Sequence, residues 1–260
     1  MLAKNIYGEN IDTIKSKFAK VTADGFTPSL AIVFCSITQN RQELVDFFNA
    51  CNVDVFGSTT AGEILDNEVM EKSTVVMLLD INKAHYKLFC EASADTYKVA
   101  NDLGLFAKAS FANPSVMVIS SGLTIDAEQI IKGFLDVDKN IPLYGGLAGD
   151  DLTMKSSYVF TNGQETSTGL IGLVLDGDKI NVKGLATSGW DNIGIEKTIT
   201  KSEGNIVYTI DDEPAVDVFV RYFQFTESVD NTAEIIAANF AQYPLQLKKD
   251  NGNVVLRAPL

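Results

Sequence analysis

The sequence predicts an α/β fold in which a duplicated strand-helix-strand-loop-hairpin unit forms mixed sheets with flanking helices. The main observation is a motif that occurs twice, as FGSTTAGE at residues 56–63 and as YGGLAGD at residues 144–150. An apolar run that ends in aspartate follows each copy, at 75–80 and at 171–176. Because self-similar segments in the same order indicate repeated supersecondary structure, we expect two copies of one unit.

The first unit, at about residues 28–95, follows an N-terminal helical segment at 1–27. Apolar residues at helical spacing predict an amphipathic helix over 5–21. A continuous apolar run predicts a buried strand at 30–35. The other elements predicted for this unit are a helix at 39–51, a strand at 53–56 and two paired strands at 74–79 and 84–92.

The second unit, at about residues 114–190, repeats this order after a linking helix at 95–110. Its predicted elements are a strand at 115–120, a helix at 125–136 and strands at 141–144, 156–161, 168–175 and 179–187. A helix between neighbouring strands implies parallel pairing, whereas hairpins add antiparallel pairs. We therefore expect each sheet to be mixed.

The remaining chain predicts a hairpin, which completes a domain over 28–213, and then a separate segment at 214–260. In that last segment Pro214 follows two acids, as is common where a helix begins. The elements predicted from there on are helices at 215–223 and 231–240 and a strand pair at 244–247 and 254–256. The preceding hairpin joins 195–200 to 206–210.

Composition excludes several classes of partner. The 260 residues carry 34 acidic and 21 basic side chains, a net charge of −13, which disfavours nucleic acid and anionic membranes. The three cysteines are widely spaced and there is a single histidine, so we expect reduced thiols and no metal or other cofactor. Residues 1–10 lack the basic start and apolar core of a secretory signal, and we expect a cytoplasmic protein.

The sequence resembles the N-terminal FIST domain in its two glycine-rich motifs, in the run TGLIGLVL at 168–175 and in the string GWDNIG at 189–194. The hairpin at 203–208 and the string DEPA at 212–215 extend the resemblance. It implies an intracellular sensory module that binds a small ligand such as an amino acid and passes a signal to an effector protein. It implies no catalytic residue. By the same resemblance, the segment after 213 is the incomplete start of a C-terminal FIST domain.

We expect the ligand between the two glycine-rich loops. An amino acid needs hydrogen-bond donors for its carboxylate and carboxylates for its ammonium, and glycine lets a backbone approach a ligand closely. The predicted ligand-binding residues are Ser58, Thr59, Thr60, Glu63, Gly146, Asp150, Asp151 and Trp190. Alternatively, the glycines only serve tight turns, the acids are solvated and Trp190 packs against the protein. Ser36, Ser120 and Ser121 end the matching strands and either lie beside the loops or cap helices.

Two other functions stay open. A protein-interaction scaffold without a metabolite would use an exposed apolar face of the helix at 215–223. A hydrolase or lyase would use the carboxylates of Glu63, Asp150 and Asp151 for acid–base work or for a divalent cation. The sequence has neither a nucleophile elbow nor a phosphate-binding loop, so it offers no partner for such chemistry.

Overall fold

The structure, a computed structural model, describes residues 1–123, 125–185, 189–204, 206–223, 244–248 and 254–257. It divides into two units, Met1–Leu185 and Ala186–Leu260. None of the described helices combines the length and the hydrophobicity that crossing a bilayer requires.

The first unit alternates strands and helices. In chain order its elements are β1 (Leu2–Gly8), α1 (Ile11–Thr22), β2 (Leu30–Cys35), α2 (Arg41–Ala50), β3 (Asp54–Thr59), β4 (Glu63–Leu65), β5 (Glu68–Met70), β6 (Thr74–Asp80), a 3-10 turn (Lys83–His85), β7 (Tyr86–Ala92), α3 (Thr96–Ser110), β8 (Pro114–Ser120), α4 (Ala127–Leu135), β9 (Leu143–Leu147), β10 (Val159–Thr161), β11 (Glu165–Thr166) and β12 (Gly169–Asp176). This content confirms the predicted α/β class with mixed sheets and flanking helices.

The strands form two main sheets with the same internal connection. Sheet 1 has the order β1-β6-β2-β3-β10-β11, and sheet 2 has the order β7-β12-β8-β9. In each sheet the central strand is parallel to the next strand along the chain, β2 to β3 and β8 to β9, and antiparallel to β6 or β12. In both sheets an outer strand pairs antiparallel with this last strand, β1 with β6 and β7 with β12. The repeat therefore runs from β1 to β6 and again from β7 to β12.

The apolar side chains place the two sheets face to face with helices outside. One core cluster joins α1 and α2 to sheet 1, and another joins α3 and α4 to sheet 2. A third cluster lies between the sheets and includes Ile32 and Phe56 from sheet 1 with Ile171 and Leu173 from sheet 2. Since each sheet is buried on both faces, its strands read as continuous apolar runs rather than as alternating patterns.

Two predicted elements of the first half were wrong. The strands at 74–79 and 84–92 do not pair with each other, because β6 belongs to sheet 1 and β7 to sheet 2. Ile81, buried between the sheets, lies in the segment that carries the chain across. The single helix predicted over 5–21 is the second error, because this segment contains the end of β1 and then α1. The helix begins only after Asn10, which caps α1 by accepting a hydrogen bond from the Thr13 amide.

In the second half, no strand occurs in the described part of 179–187, which ends at Leu185. Ile180 and Val182 instead pack against the core between the sheets as irregular chain. The predicted helix at 231–240 lies outside the described residues.

The second unit is small. Its elements are β13 (Ile199–Glu203), β14 (Ile206–Ile210), β15 (Glu213–Pro214), α5 (Ala215–Phe223), β16 (Leu245–Lys248) and β17 (Val254–Arg257). β13, β14 and β15 form one antiparallel sheet, and β16 pairs with β17. Ile210, Ala215 and Val218 form a small apolar cluster.

Candidate functional site

The two glycine-rich motifs extend further into strands than the sequence predicts. Gly57, Ser58 and Thr59 belong to β3, and Gly145 and Gly146 belong to β9. Gly57 is required by packing, because a Cβ at this position would lie 2.5 Å from the ring of Phe160. The segments that leave the strands are therefore short and begin at Thr60 and Ala148.

The structure brings these two segments into direct contact. The Thr59 hydroxyl donates to the Gly149 carbonyl at 2.6 Å, and the Gly149 amide donates back to the Thr59 carbonyl at 3.0 Å. The Asp151 amide donates to the Thr60 carbonyl at 3.1 Å. A Cβ on Gly149 would lie 2.8 Å from the Ala61 nitrogen, so only glycine allows this approach. The ends of β3 and β9, which belong to different sheets, thus meet at one place.

Glu63 lies under this junction and is 1% exposed. One carboxylate oxygen accepts the Thr60 hydroxyl at 2.7 Å, and the other accepts the amide and hydroxyl of Ser73 at 3.1 and 2.8 Å. Because both oxygens are already bonded inside the protein, Glu63 fixes the loop at Thr60 rather than facing solvent.

Asp150 is also committed to the protein. It is 3% exposed and accepts the Thr153 hydroxyl at 2.7 Å. The amides of Met154, Lys155 and Ser156 donate to the same carboxylate at 3.2, 2.7 and 3.2 Å. Burial opposes ionisation, but these hydrogen bonds outweigh it and lower the pKa of Asp150. The charge of Asp150 therefore shapes the segment that follows it.

Asp151 is different, because one of its oxygens is available. Its backbone has a φ of 55°, in the left-handed region, and the residue is partly exposed. The Ser36 hydroxyl donates to Oδ2 at 2.6 Å, and Ser36 in turn accepts the Thr38 amide at 3.1 Å. Within the described residues Oδ1 accepts no hydrogen bond. Asp151 is thus a carboxylate that one oxygen holds in place, while the other makes no hydrogen bond to the described part of the chain.

Two backbone amides follow Thr60, the residue whose carbonyl accepts the Asp151 amide. The Asp151 amide bonds to the Thr60 carbonyl, so Asp151 adjoins the peptide that joins Thr60 to Ala61. The amides of Ala61 and Gly62 donate no hydrogen bond to any described residue, and both residues are at least partly exposed. The Thr60 hydroxyl already donates to Glu63, so toward a ligand it can only accept. Within the described residues, the junction therefore combines a carboxylate oxygen and two backbone amides that make no hydrogen bond, on two segments that the Asp151–Thr60 hydrogen bond joins.

Of the other predicted site residues, Ser58 is buried in β3, and Gly146 is exposed in β9 with no heavy atom within 4 Å of an added Cβ. Trp190 lies in the second unit and is 51% exposed. Ser120 and Ser121 bond to the Gly169 carbonyl through their hydroxyls, at 3.0 and 3.3 Å.

Arg41 is a neighbour that the sequence did not reveal. It begins α2 directly after Asn40, stacks at 4.3 Å on the ring of Tyr158 and donates to both oxygens of Glu165 at 2.6 and 3.2 Å. Burial opposes its charge, but the Glu165 carboxylate outweighs burial and raises the Arg41 pKa. Glu165 is 124 residues away along the chain, so no local pattern could indicate this pair.

Acid–base chemistry fits this arrangement poorly. Glu63 and Asp150 accept hydrogen bonds on both oxygens, whereas a catalytic carboxylate must exchange a proton with a substrate. Among the described residues, no group of three or more His, Cys, Asp and Glu side chains could hold a metal ion. The groups that the junction presents are one carboxylate, which accepts hydrogen bonds, and backbone amides, which donate them.

Sequence comparison identifies the family of the chain. The FIST N domain matches residues 29–213, which is well over half of the chain. The chain belongs to the FIST family. FIST domains are sensory domains of signal transduction rather than catalytic domains. No curated protein matches the chain significantly.

Proposed function

We propose that this FIST protein senses a free amino acid at the junction between Thr60 and Asp151. The observation that carries the proposal is that Asp151, whose Oδ1 accepts no hydrogen bond from a described residue, bonds through its amide to Thr60, and that the amides of Ala61 and Gly62 after Thr60 donate none to a described residue. The α-ammonium of the ligand bonds to Asp151, and its carboxylate accepts from the two amides. Charge-assisted hydrogen bonds of this kind are short and about twice as strong as neutral ones.

The position of the junction explains how binding becomes a signal. Thr60 follows β3 of sheet 1, whereas Asp151 follows β9 of sheet 2. A ligand that bonds to Asp151 and to the amides of Ala61 and Gly62, which follow Thr60, therefore ties the two sheets together more strongly than the existing hydrogen bonds alone. The ligand can shift the equilibrium between two conformational states only by as much free energy as separates its binding to one state from its binding to the other. An effector protein that binds one of these states then receives the signal.

A thermal unfolding assay against the common amino acids tests this proposal. A ligand at about 100 times its dissociation constant stabilises the fold by about 2.7 kcal/mol, which raises Tm by roughly 5–10 °C in a protein of this size. The Asp151→Asn variant keeps an oxygen for Ser36 but loses the charge, so the ligand-induced shift should disappear.

The matched control is Asp66→Asn. Asp66 is an exposed aspartate with a φ of 55°, so the variant removes the same charge from the same backbone conformation, outside the junction. It should respond to the ligand like the wild type. A shift that survives in Asp151→Asn would show that the site is elsewhere, and the absence of a shift with every amino acid would contradict the ligand class.

A protein-interaction role is the second candidate, and one surface favours it. On α5 the side chains of Val216, Val220 and Tyr222 are 48%, 36% and 48% exposed, whereas Val218 is buried. Exposed apolar residues on one element are typical of contact surfaces. Replacing Val216 and Val220 with serine should abolish capture of a partner without changing Tm by more than about 1 °C. Unchanged capture would remove this candidate.

A further inference from the structure

The two main sheets differ at one edge. In sheet 1, β3 lies between β2 and β10, whereas in sheet 2 the strand β9 pairs with β8 alone. β3 and β9 are equivalent, because the chain leaves both in the same way. The Thr60 amide donates to the Cys35 carbonyl directly after β3. The Ala148 amide donates to the Ser120 carbonyl directly after β9. Among the described residues, sheet 2 therefore lacks the strand that completes sheet 1.

The outward side of β3 is bonded to the hairpin of β10 and β11. The Thr59 amide donates to the Tyr158 carbonyl at 2.9 Å. Gly57 pairs with Phe160 of β10. The Val55 amide donates at 2.6 Å to a side-chain oxygen in the turn between β10 and β11. Alternate residues of β3 thus all have a partner in this hairpin.

The equivalent side of β9 is unpaired. The Val116 amide donates to the Pro142 carbonyl before β9, and the Ala148 amide bonds to β8 after it. Because backbone groups alternate in direction along a strand, the even-numbered residues between them bond to β8. The others point away from β8, and among the described residues their amides and carbonyls make no hydrogen bond: Leu143, Gly145 and Leu147. Such an edge is a template for another strand.

The helices over these strands show the same difference. α2 and α4 carry one apolar pattern, LVDFF at 44–48 and IIKGF at 130–134, and the first and last residues of each pattern are buried. The second residues differ. Val45 is 4% exposed and belongs to the core cluster that contains Phe160 of β10, whereas Ile131 is 52% exposed. Within the described residues, sheet 2 therefore lacks both a strand and the aromatic side chain that accompanies it in sheet 1.

The chain's own counterpart of β10 does not supply this strand. The hairpin of β4 and β5 occupies the same place in the first copy of the repeat, but its strands pair only with each other. Glu63, the first residue of β4, bonds to Thr60 before the hairpin and to Ser73 after it. These buried hydrogen bonds hold both ends of the hairpin where they are.

Charge distinguishes the remaining occupants of the edge. A second copy of the chain would bring the same net charge of −13, and like charges oppose association. The segment around α4, residues 126–138, which connects β8 to β9, carries four acidic side chains and one basic side chain. A strand with lysine or arginine is attracted to such a surface.

We propose that the edge of β9 is a docking site for an extended, basic segment of a partner protein, which adds to sheet 2 as an antiparallel strand. Its backbone bonds to the outward groups of Gly145 and Leu147. A bulky apolar side chain of the segment lies opposite Gly145 and packs against Ile131. Strand addition of this kind obtains affinity from main-chain hydrogen bonds and specificity from the side chains.

A peptide with the β10 sequence of residues 157–162 and two lysines at each end, KKSYVFTNKK, is the probe, because β10 covers the equivalent edge. We expect fluorescence anisotropy with the full chain to give a Kd below about 100 μM. The glutamate-flanked peptide EESYVFTNEE should bind at least about tenfold more weakly, because its charge is reversed. The peptide KKSYVATNKK should also lose at least about tenfold, because it lacks the aromatic side chain.

Two variants test the position of the peptide. Leu147→Pro removes an outward amide of an edge strand, a position that tolerates proline, and should weaken binding at least about tenfold. Ile131→Ser should do the same by removing the apolar contact. Leu105→Ser is the matched control, since Leu105 is 53% exposed on α3. It should bind the peptide like the wild type and unfold at a temperature similar to that of Ile131→Ser, which separates lost binding from misfolding.

Undetectable binding of the lysine-flanked peptide, equal affinity for the two flanks, or full affinity in Ile131→Ser would each overturn the proposal. Full affinity in Leu147→Pro would place the peptide elsewhere, for example on β3 in exchange for β10, and would overturn it as well. So would a wild-type dimer in sedimentation that Leu147→Pro dissociates, because the edge would then belong to a second copy. Asp151→Asn should bind the peptide normally, so the docking site and the amino-acid site succeed or fail separately.

Discussion

Replacing Asp150 with alanine tests whether this carboxylate maintains the loop structure. The residue is 3% exposed and accepts four hydrogen bonds, one from a hydroxyl and three from backbone amides. A hydrogen bond to a charged group contributes about 1.5–3 kcal/mol. Met154 and Lys155 are exposed, so water replaces part of what their amides lose. We therefore expect Asp150→Ala to lower the free energy of unfolding by about 2–4 kcal/mol in total, less than the sum of four such hydrogen bonds.

Urea unfolding near neutral pH measures this loss, and thermal unfolding should show a Tm lowered by roughly 5–15 °C. Asp24→Ala is the control, since Asp24 is an exposed aspartate outside the glycine-rich motifs and the variant has the same net charge. It should unfold within about 0.5 kcal/mol of the wild type. A similar result for Asp150→Ala would refute the structural role assigned to this carboxylate.

The same variant has a predicted pH dependence. The folded-state pKa of Asp150 is lowered, because its hydrogen bonds outweigh burial. Its carboxylate therefore contributes full stability above the unfolded-state pKa of about 4, and this contribution is lost as the pH falls through the lower folded-state value. The difference in stability between wild type and Asp150→Ala should narrow below about pH 4. A difference that stays constant down to about pH 3 would contradict the assignment.

Two further predictions concern single residues. Gly145→Ala should lower the free energy of unfolding by more than about 3 kcal/mol, because φ is 151° and a Cβ would lie 1.8 Å from the Val118 carbonyl oxygen. The adjacent Gly146→Ala has open space around its Cβ and should lower it by under about 1 kcal/mol. Equal unfolding temperatures for the two variants would refute this difference. A thiol reagent should modify the exposed Cys51 in the native protein and reach Cys35 only after unfolding, because burial raises the Cys35 pKa to about 12. Native-state labelling of Cys35, followed by mass spectrometry, would contradict that burial.

The sequence predicts the elements well where local periodicity is strong. The linking helix predicted at 95–110 is α3, Thr96–Ser110, and the helix predicted at 215–223 is α5, Ala215–Phe223. The pairing between strands is harder to predict from the sequence. Two strands separated by four residues are typical of a hairpin, yet β6 and β7 lie in different sheets because Ile81 is buried between them. That burial depends on residues far along the chain.

The same limit applies to the site. The motif repeat predicts equivalent segments after β3 and β9, and hydrogen bonds join these two segments in the structure. What the sequence does not reveal is which carboxylates have internal partners. Glu63 bonds to Ser73 and Asp150 bonds to amides that carry no sequence signature, so acidic residues that read alike differ in availability. Only the three-dimensional arrangement singles out Asp151.

The hairpin of β10 and β11 has a consequence for how the chain is synthesised. It comes from the second copy of the repeat but pairs with β3 of the first, and the Tyr158 amide reaches the Thr59 hydroxyl across 99 residues. Until the ribosome has delivered residue 166, β3 has one side without a partner, and unpaired strand edges promote aggregation. The first copy therefore leaves the ribosome unfinished and depends on the arrival of the second.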